Sequence, residues 1–268
     1  MAREYFRALT RCAVVVTGAE HQVSEDSVMT APAATPLSLR IRAAGEVPGD
    51  TVDSAGNLIL STQTVAALSA IAVPLDVKAR TPVVRQGDEA EFVFLIRSGV
   101  IKAEHQLEDG RTQIVAFHWP GDLFGLADHD LYLNSADALT DCDLIRFSRP
   151  ALKALFLTEP GLQGDFLVEA IAHLRLSQRH LLLVTHQRVA KRLAGFLIEC
   201  SQKPECYDTQ TGVLSLIMDR TDIAAYLNTT VESVSRMIGA LEERKLITRV
   251  DARHVRLDLP GLKALLTR

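Results

Sequence analysis

At Pro150 the hydrophobic period of this 268-residue chain changes, and no other feature restricts its fold as much. Ahead of that point lie short β-branched or alternating runs: "TPVVRQG", "FVFLIRSGVIKAEHQL", "TQIVAFHWPG" and "ADALTDCDLIRFS". Turn signals separate them, at Gly87-Asp88, Ser98-Gly99, the "EDGR" of Glu108–Arg111, and Pro120-Gly121-Asp122. A two-residue period bounded by such turns marks half-buried strands, and "EDG" between two runs marks a hairpin. Strands this short and evenly spaced predict a small barrel or jelly roll. Beyond Pro150 the apolar residues recur every three or four positions, which predicts one or two helices interrupted near Pro160. The length suits about two domains.

Other segments extend this division. Residues 1–56 carry "MTAPAATPLS" and "GEVPGDTVDSAGN", compositions that suit a loose N-terminal extension. Arg3, Arg7 and Arg11 recur at helical spacing and allow a short amphipathic helix there, while a start at Met29 instead of Met1 is the alternative. Thr62–Ile71 reads as a short helix. Further on, Leu167, Ala170, Leu174, Ser177, Leu181 and Val184 follow steps of three and four over about three heptads, the a/d seam of a coiled coil. Charged or polar flanks at Glu169, His173, Arg175, Gln178 and Arg179 favour a homodimer seam over a helix packed on its own barrel.

The charge of the whole chain is -4, which does not by itself indicate a polyanion partner. The average hides a gradient, since Arg220–Arg268 holds nine Lys/Arg against six Asp/Glu. No apolar run approaches the roughly 20 residues that span a bilayer, and Ala13–Val16 is too short for a signal-peptide core. The four cysteines, Cys12, Cys142, Cys200 and Cys206, are scattered without a C-x-x-C pair. They read as small buried hydrophobes in a cytoplasmic protein without membrane contact, with redox pairing of Cys200 and Cys206 as the minority alternative.

In the last 70 residues "DRTDIAAYLN" predicts a helix N-capped by Asp219, with Asp222 three residues on. Asn228 tolerates the left-handed conformation of a tight turn, and Thr229 or Thr230 caps the next helix. Two short helices joined in this way form a helix-turn-helix. "LITRV" and "HVRLDL" around "DAR" predict a β-hairpin wing. On the second helix Val231, Val234, Ile238 and Leu241 share the buried side, while Glu232, Ser235, Arg236, Gly239 and Glu243 face away. That outer side offers an acceptor, a hydroxyl and a forked donor, the groups that read base edges in a major groove. Gly239 leaves room for close approach to a groove wall.

The run "RTDIAAYLNTTVESVSRMIGALEERKLI" resembles the helix-turn-helix of the CRP/FNR family of bacterial transcription regulators. Val231-Glu232-x-x-Ser235-Arg236 is similar to the FNR/FixK-like branch, and within it to members without the iron–sulfur cysteine cluster. The resemblance extends over about residues 60–268, through Gly87, Gly99, Gly110, Gly121, Gly125 and "FHWPGDLFG". It implies an α+β architecture: an N-terminal cyclic-nucleotide-binding-like jelly-roll barrel (57–155), a dimerisation helix (156–186) and a C-terminal winged helix-turn-helix (187–268). It implies Glu232, Ser235 and Arg236 as readers of a palindromic TTGAT-type operator in double-stranded DNA. Arg220 matches a phosphate-contacting position, and Thr230, Arg249 and Arg253 complete the expected DNA-binding set. RNA polymerase is the implied partner, in control related to oxygen, redox state or nitrogen oxides. Two departures stand out: Asn228 and Lys245 each occupy a place where glycine is usual.

The resemblance also raises the question of a ligand. The family's ribose-holding Gly-Glu pair appears as Gly125-Leu126, and the phosphate-binding Arg falls near Asn134. Thr112–Ile145 contains no Lys or Arg but holds Asp122, Asp128, Asp130, Asp137, Asp141 and Asp143. An anionic phosphate would lack its counter-charge there, so no cyclic AMP response is expected. With Cys12 alone ahead of the barrel, a four-thiolate cluster is not supportable, and neither cofactor nor metal is expected. Two alternatives remain. One is a regulator gated by haem or a small molecule, with His105, His118, His129, His173 and His180 as possible ligands. The other is a jelly-roll metal enzyme, which the absence of any H-x-H pattern disfavours.

Overall fold

The computed structural model describes residues 40–41, 59–60, 62–126 and 129–267. The expected helix around Arg3, Arg7 and Arg11, the thiol of Cys12 and the choice between Met1 and Met29 lie outside the described residues, as does Asp128. β1 (Arg40–Ile41) pairs in parallel with β2 (Ile59–Leu60). α1 (Thr62–Ile71) occupies the span read from the sequence.

Eight strands follow: β3 (Ala72–Val77), β4 (Pro82–Val84), β5 (Phe92–Ser98), β6 (Ile101–Gln106), β7 (Thr112–His118), β8 (Leu123–Phe124), β9 (Ser135–Ala138) and β10 (Cys142–Ser148). They form two antiparallel sheets in the orders β3-β10-β5-β8 and β4-β9-β6-β7, the expected jelly roll. Phe94, Ile96, Ile101, Phe124, Tyr132 and Leu144 belong to the core between the sheets. The unbroken apolar run of β5 has a physical reason. Phe94 and Ile96 face that core, while Val93 and Leu95 pack outward with Leu68, Leu152 and Phe166 of the covering helices. The β5–β6 turn requires glycine: Gly99 has φ +90, and a Cβ there would lie 2.5 Å from the Asp141 carbonyl oxygen.

The helical half begins with α2 (Arg149–Thr158), N-capped by the Ser148 hydroxyl, which accepts from the Ala151 N–H at 3.3 Å. Glu159 leaves helical geometry at φ -125, ψ 79, and α3 (Pro160–His186) starts anew. A proline disfavours the α conformation in the residue before it, so the interruption read at Pro160 is present. A second one lies at the end of the dimerisation helix (156–186) that the resemblance implies. Gln187 and Arg188 are extended, and α4 (Val189–Cys200) sets off in a new direction. No proline or glycine marks this break, and the Gln187 carbonyl is satisfied by Arg192 Nε at 2.8 Å.

The C-terminal part comprises β11 (Tyr207–Asp208), β12 (Val213–Ser215), α5 (Arg220–Tyr226), α6 (Val231–Glu243), β13 (Ile247–Arg249), β14 (His254–Leu257) and α7 (Leu259–Thr267). One antiparallel sheet runs β11-β12-β14-β13. Its β13–β14 hairpin is the expected wing; β11, β12 and α7 were not read, and the first two are too short to carry a period. Cys142, Cys200 and Cys206 are buried free thiols, in keeping with their reading as small hydrophobes.

Candidate nucleic-acid interface

The C-terminal helix pair is assembled by local hydrogen bonds. Asp219 Oδ1 accepts the Asp222 N–H at 2.8 Å and Asp222 Oδ2 accepts the Asp219 N–H at 3.4 Å, a reciprocal capping box on α5. The chain leaves α5 through Asn228 at φ +48. The Thr229 N–H reaches the Ala224 carbonyl at 2.9 Å and the Asn228 N–H reaches that of Ala225 at 3.4 Å, the paired bonds of a Schellman ending. Arg192 Nη1 donates to the carbonyls of Leu227 at 3.0 Å and Asn228 at 3.2 Å, bracing the turn from α4. Sequence reasoning missed Arg192, which nothing in its neighbourhood distinguishes from a solvated arginine.

Thr230 N-caps α6, its hydroxyl accepting the Ser233 N–H at 3.2 Å. Val234, Ile238 and Leu241 are buried and Val231 is half-buried, while Glu232 and Arg236 are exposed. Arg236 Nη2 donates to the Ser233 hydroxyl at 3.1 Å. No ion pair joins it to Glu232 among the described residues. The Glu232 carboxyl stands below its usual range, first through its own backbone N–H and then through the Thr230 hydroxyl, with the charge of Arg236 contributing less. Arg220 Nη1 donates to Ser235 Oγ at 3.1 Å, joining two of the predicted residues across the two helices. Arg220, Thr230, Glu232, Ser235 and Arg236 thus share the N-terminal half of the α6 surface. A Cβ on Gly239 would meet nothing within 4 Å, so the same face stays open farther along the helix.

The wing adds two of the predicted arginines. Arg249 Nη2 pairs with Glu242 Oε2 of α6 at 2.9 Å, tying strand to helix. Arg253 is exposed in the loop, where Asp251 Oδ1 accepts its backbone N–H at 2.8 Å and that of His254 at 2.9 Å. These bonds, that of Arg253 first, hold the Asp251 carboxyl below its usual range. Between α6 and the wing, Lys245 sits at φ +56 with its N–H on the Glu242 carbonyl, and the Leu246 N–H reaches that of Leu241. This is a second Schellman ending, with a lysine in the left-handed position. Lys245→Gly is expected to stabilise the chain by roughly 0.5–1 kcal/mol, after allowing for the greater freedom of unfolded glycine. Urea unfolding of the two proteins checks this; an unchanged or lower midpoint contradicts it.

On α3, Leu167, Ala170, Leu174, Ser177 and Leu181 of the predicted seam are exposed, whereas Val184 is half-buried. Ile171 and Leu182 are exposed as well and belong to the same side of the helix. In the barrel, Tyr132 is buried, its hydroxyl donating to the Phe92 carbonyl at 3.0 Å and accepting the Phe92 N–H at 3.1 Å. Asn134 Oδ1 lies 3.2 Å from His105 Nδ1. His118 stacks on Phe124 and neighbours His173; its enclosure, then the charges of His173 and Lys203, bring its pKa down to about 3. His180 stacks on Tyr226, and His129 is exposed beside Asp130. Among the described residues no three His, Cys, Asp or Glu side chains are grouped so as to hold a metal ion.

Comparison with known proteins agrees with this architecture. Residues 74–159 match the family described as "Cyclic nucleotide-binding domain", and residues 191–265 match the "Crp-like helix-turn-helix domain". Over 206 residues the chain is 35% identical to the nitrogen fixation regulation protein FixK of Azorhizobium caulinodans, covering 76% of this chain and 82% of that one. It is 33% identical over 177 residues to the nitrogen fixation regulation protein FixK of Rhizobium meliloti, covering 65% and 78%. The solved structure of FixK2 from Bradyrhizobium japonicum is similar with a TM-score of 0.65 at 29% identity, covering 73% of this chain and 97% of that one.

Proposed function

This chain belongs to the CRP/FNR family of DNA-binding transcription regulators and is not an enzyme, and from that premise we propose that it acts as a homodimer on a palindromic operator with TTGAT-type half-sites. The observation that carries this reading is the patch on α6. Glu232 and Arg236 are exposed, Ser235 is bonded to Arg220, and Gly239 leaves the helix surface open beside them. An arginine fork pairs with guanine acceptors and a carboxylate with the cytosine amino group, so a patch of this composition suits a major groove. In this reading Arg220 meets phosphate, Arg249 and Arg253 meet the backbone from the wing, and Thr230 contacts DNA at the helix start. Leu167, Ala170, Leu174, Ser177, Leu181 and Val184 form the seam to a second copy. The working division is a sensor barrel at 57–155, a dimerisation helix at 156–186 and a winged helix-turn-helix at 187–268, with 1–56 as an extension.

Bound to its operator, the dimer recruits RNA polymerase, in the cytoplasm, in control related to oxygen, redox state or nitrogen oxides. Among the described residues no helix is long and apolar enough to cross a membrane. The barrel gives no cyclic AMP response. Supporting this are the buried Tyr132 inside it, the Asn134 amide engaged with His105, and the lack of any Lys or Arg across Thr112–Ile145. Selection of bound sequences from a pool of random duplexes by the purified chain tests the reading. Enrichment of a TTGAT-type palindrome without added ligand is the expected result; recovery of an unenriched pool sinks it.

A further inference from the structure

Barrel and C-terminal part share one buried cluster, in which Val100, Ile114 and Trp119 join Phe196, Ile223 and Leu227. Polar contacts reach α5 across the same boundary toward each of its ends. At its N-terminal end, Lys102 Nζ on β6 lies 3.2 Å from Asp222 Oδ1 and 3.0 Å from Glu104 Oε2. The Lys102 and Asp222 side chains retain only 19% and 14% of their exposure, so this is not a pair dissolved in solvent. Burial alone would pull the Lys102 pKa down, but Glu104 and Asp222 more than offset it, and the ammonium stands above the usual lysine range. At the C-terminal end, Gln113 Nε2 on β7 donates to the Ala225 carbonyl. Beside the second contact, the ring of Tyr226, the last residue of α5, lies 5.0 Å from Phe117 of β7, 5.7 Å from Phe196 of α4 and 4.1 Å from His180 of α3.

The β6–β7 hairpin therefore holds the first helix of the pair toward both of its ends. With seven residues, α5 is too short to hold an orientation on its own, and tertiary contacts must supply it. A short turn braced by Arg192 joins α5 to α6, so a displacement of α5 carries α6 with it. We propose that the β6–β7 hairpin is the positioning element for operator recognition, with Lys102 and Gln113 acting through α5 to set the angle and separation at which the two α6 helices of a dimer are presented. This rests on the homodimeric DNA-binding reading above. A dimer engages half-sites about 34–36 Å apart, so an error in presentation appears as lost spacing discrimination while base reading within a half-site persists.

The experiment uses the full chain and four duplexes: the preferred palindrome, versions with one base pair inserted or removed between half-sites, and the preferred palindrome with a substituted base. Wild type is expected to favour the preferred spacing. Lys102→Met and Gln113→Ala are each expected to lose about tenfold in affinity for that spacing, to flatten the difference between spacings, and to keep the wild-type penalty for the substituted base. Lys102→Arg, which keeps the charge, is expected to restore the spacing preference in part. Arg236→Ala should do the reverse, losing the base penalty while keeping the spacing preference. Lys102→Met and Gln113→Ala proteins with a wild-type spacing profile overturn the positioning role and leave DNA recognition standing. Equal loss on every spacing together with a lower unfolding midpoint also overturns it, since the contacts then serve only stability. A wild type that binds no palindrome overturns both readings.

Discussion

Arg236→Ala is expected to weaken binding to the preferred operator by about 1–3 kcal/mol and to make one base position permissive, because a bidentate guanidinium contact discriminates against wrong bases by that amount. The side chain is exposed and its guanidinium donates to Ser233 Oγ within the same helix, so its removal should leave folding intact. Loss of affinity can then be assigned to the lost contact with DNA. Arg220→Ala makes an instructive contrast. Its guanidinium reaches Ser235 from the start of α5, and a phosphate contact from that place carries no sequence information. The expected outcome is weaker binding to every sequence alike and a salt dependence reduced by about one phosphate contact. Titrations of both variants on operators with single-base substitutions, at two salt concentrations, separate the two roles. If Arg236→Ala keeps the wild-type base preference, the assignment of that arginine to base reading is wrong.

What could be read from the sequence follows the range of the interactions involved. The capping box of Asp219 and Asp222, the left-handed Asn228 and a cap at Thr229 or Thr230 each depend on groups within a few residues of one another; all three were legible, and the structure puts the cap at Thr230. The jelly roll was legible because its strands carry a two-residue period between turn signals. The brace from Arg192 to Leu227 and Asn228 was not, because its partners lie in other elements. The contact of Lys102 with Asp222 spans 120 positions in the chain, and no local pattern announces it. In the candidate site, the exposed face of α6 was read from its helical period. The bond between Arg220 and Ser235 needed the angle between the two helices, which only the folded chain supplies.

The long helix bears the other large effect. A strict alternation of three and four residues drifts by about 20° per heptad around a straight α-helix. That drift accounts for Val184 lying half-buried at one end of the expected seam, while Ile171 and Leu182 join the exposed side. Leu167, Leu174 and Leu181 keep 61%, 57% and 59% of their exposure in the single chain, more than isolated surface leucines require on one stripe. Each leucine buried against a second copy contributes about 1.5–3 kcal/mol, and a carboxylate placed there instead must be desolvated opposite another of like charge. The double variant Leu174→Glu, Leu181→Glu is therefore expected to sediment with the mass of one chain where wild type sediments as two. Its circular dichroism should stay close to wild type, because neither leucine is part of the core of its own chain, while its unfolding midpoint falls by the stabilisation that the second copy supplied. Affinity for a palindromic operator should fall by roughly a hundredfold or more, since the second half-site then binds without the gain in effective concentration that a joined pair provides. A variant that remains dimeric refutes the seam on α3. A monomeric variant with undiminished affinity for the palindrome instead separates dimerisation from operator recognition, and confines the recognition unit to Arg220–Arg253 of a single chain.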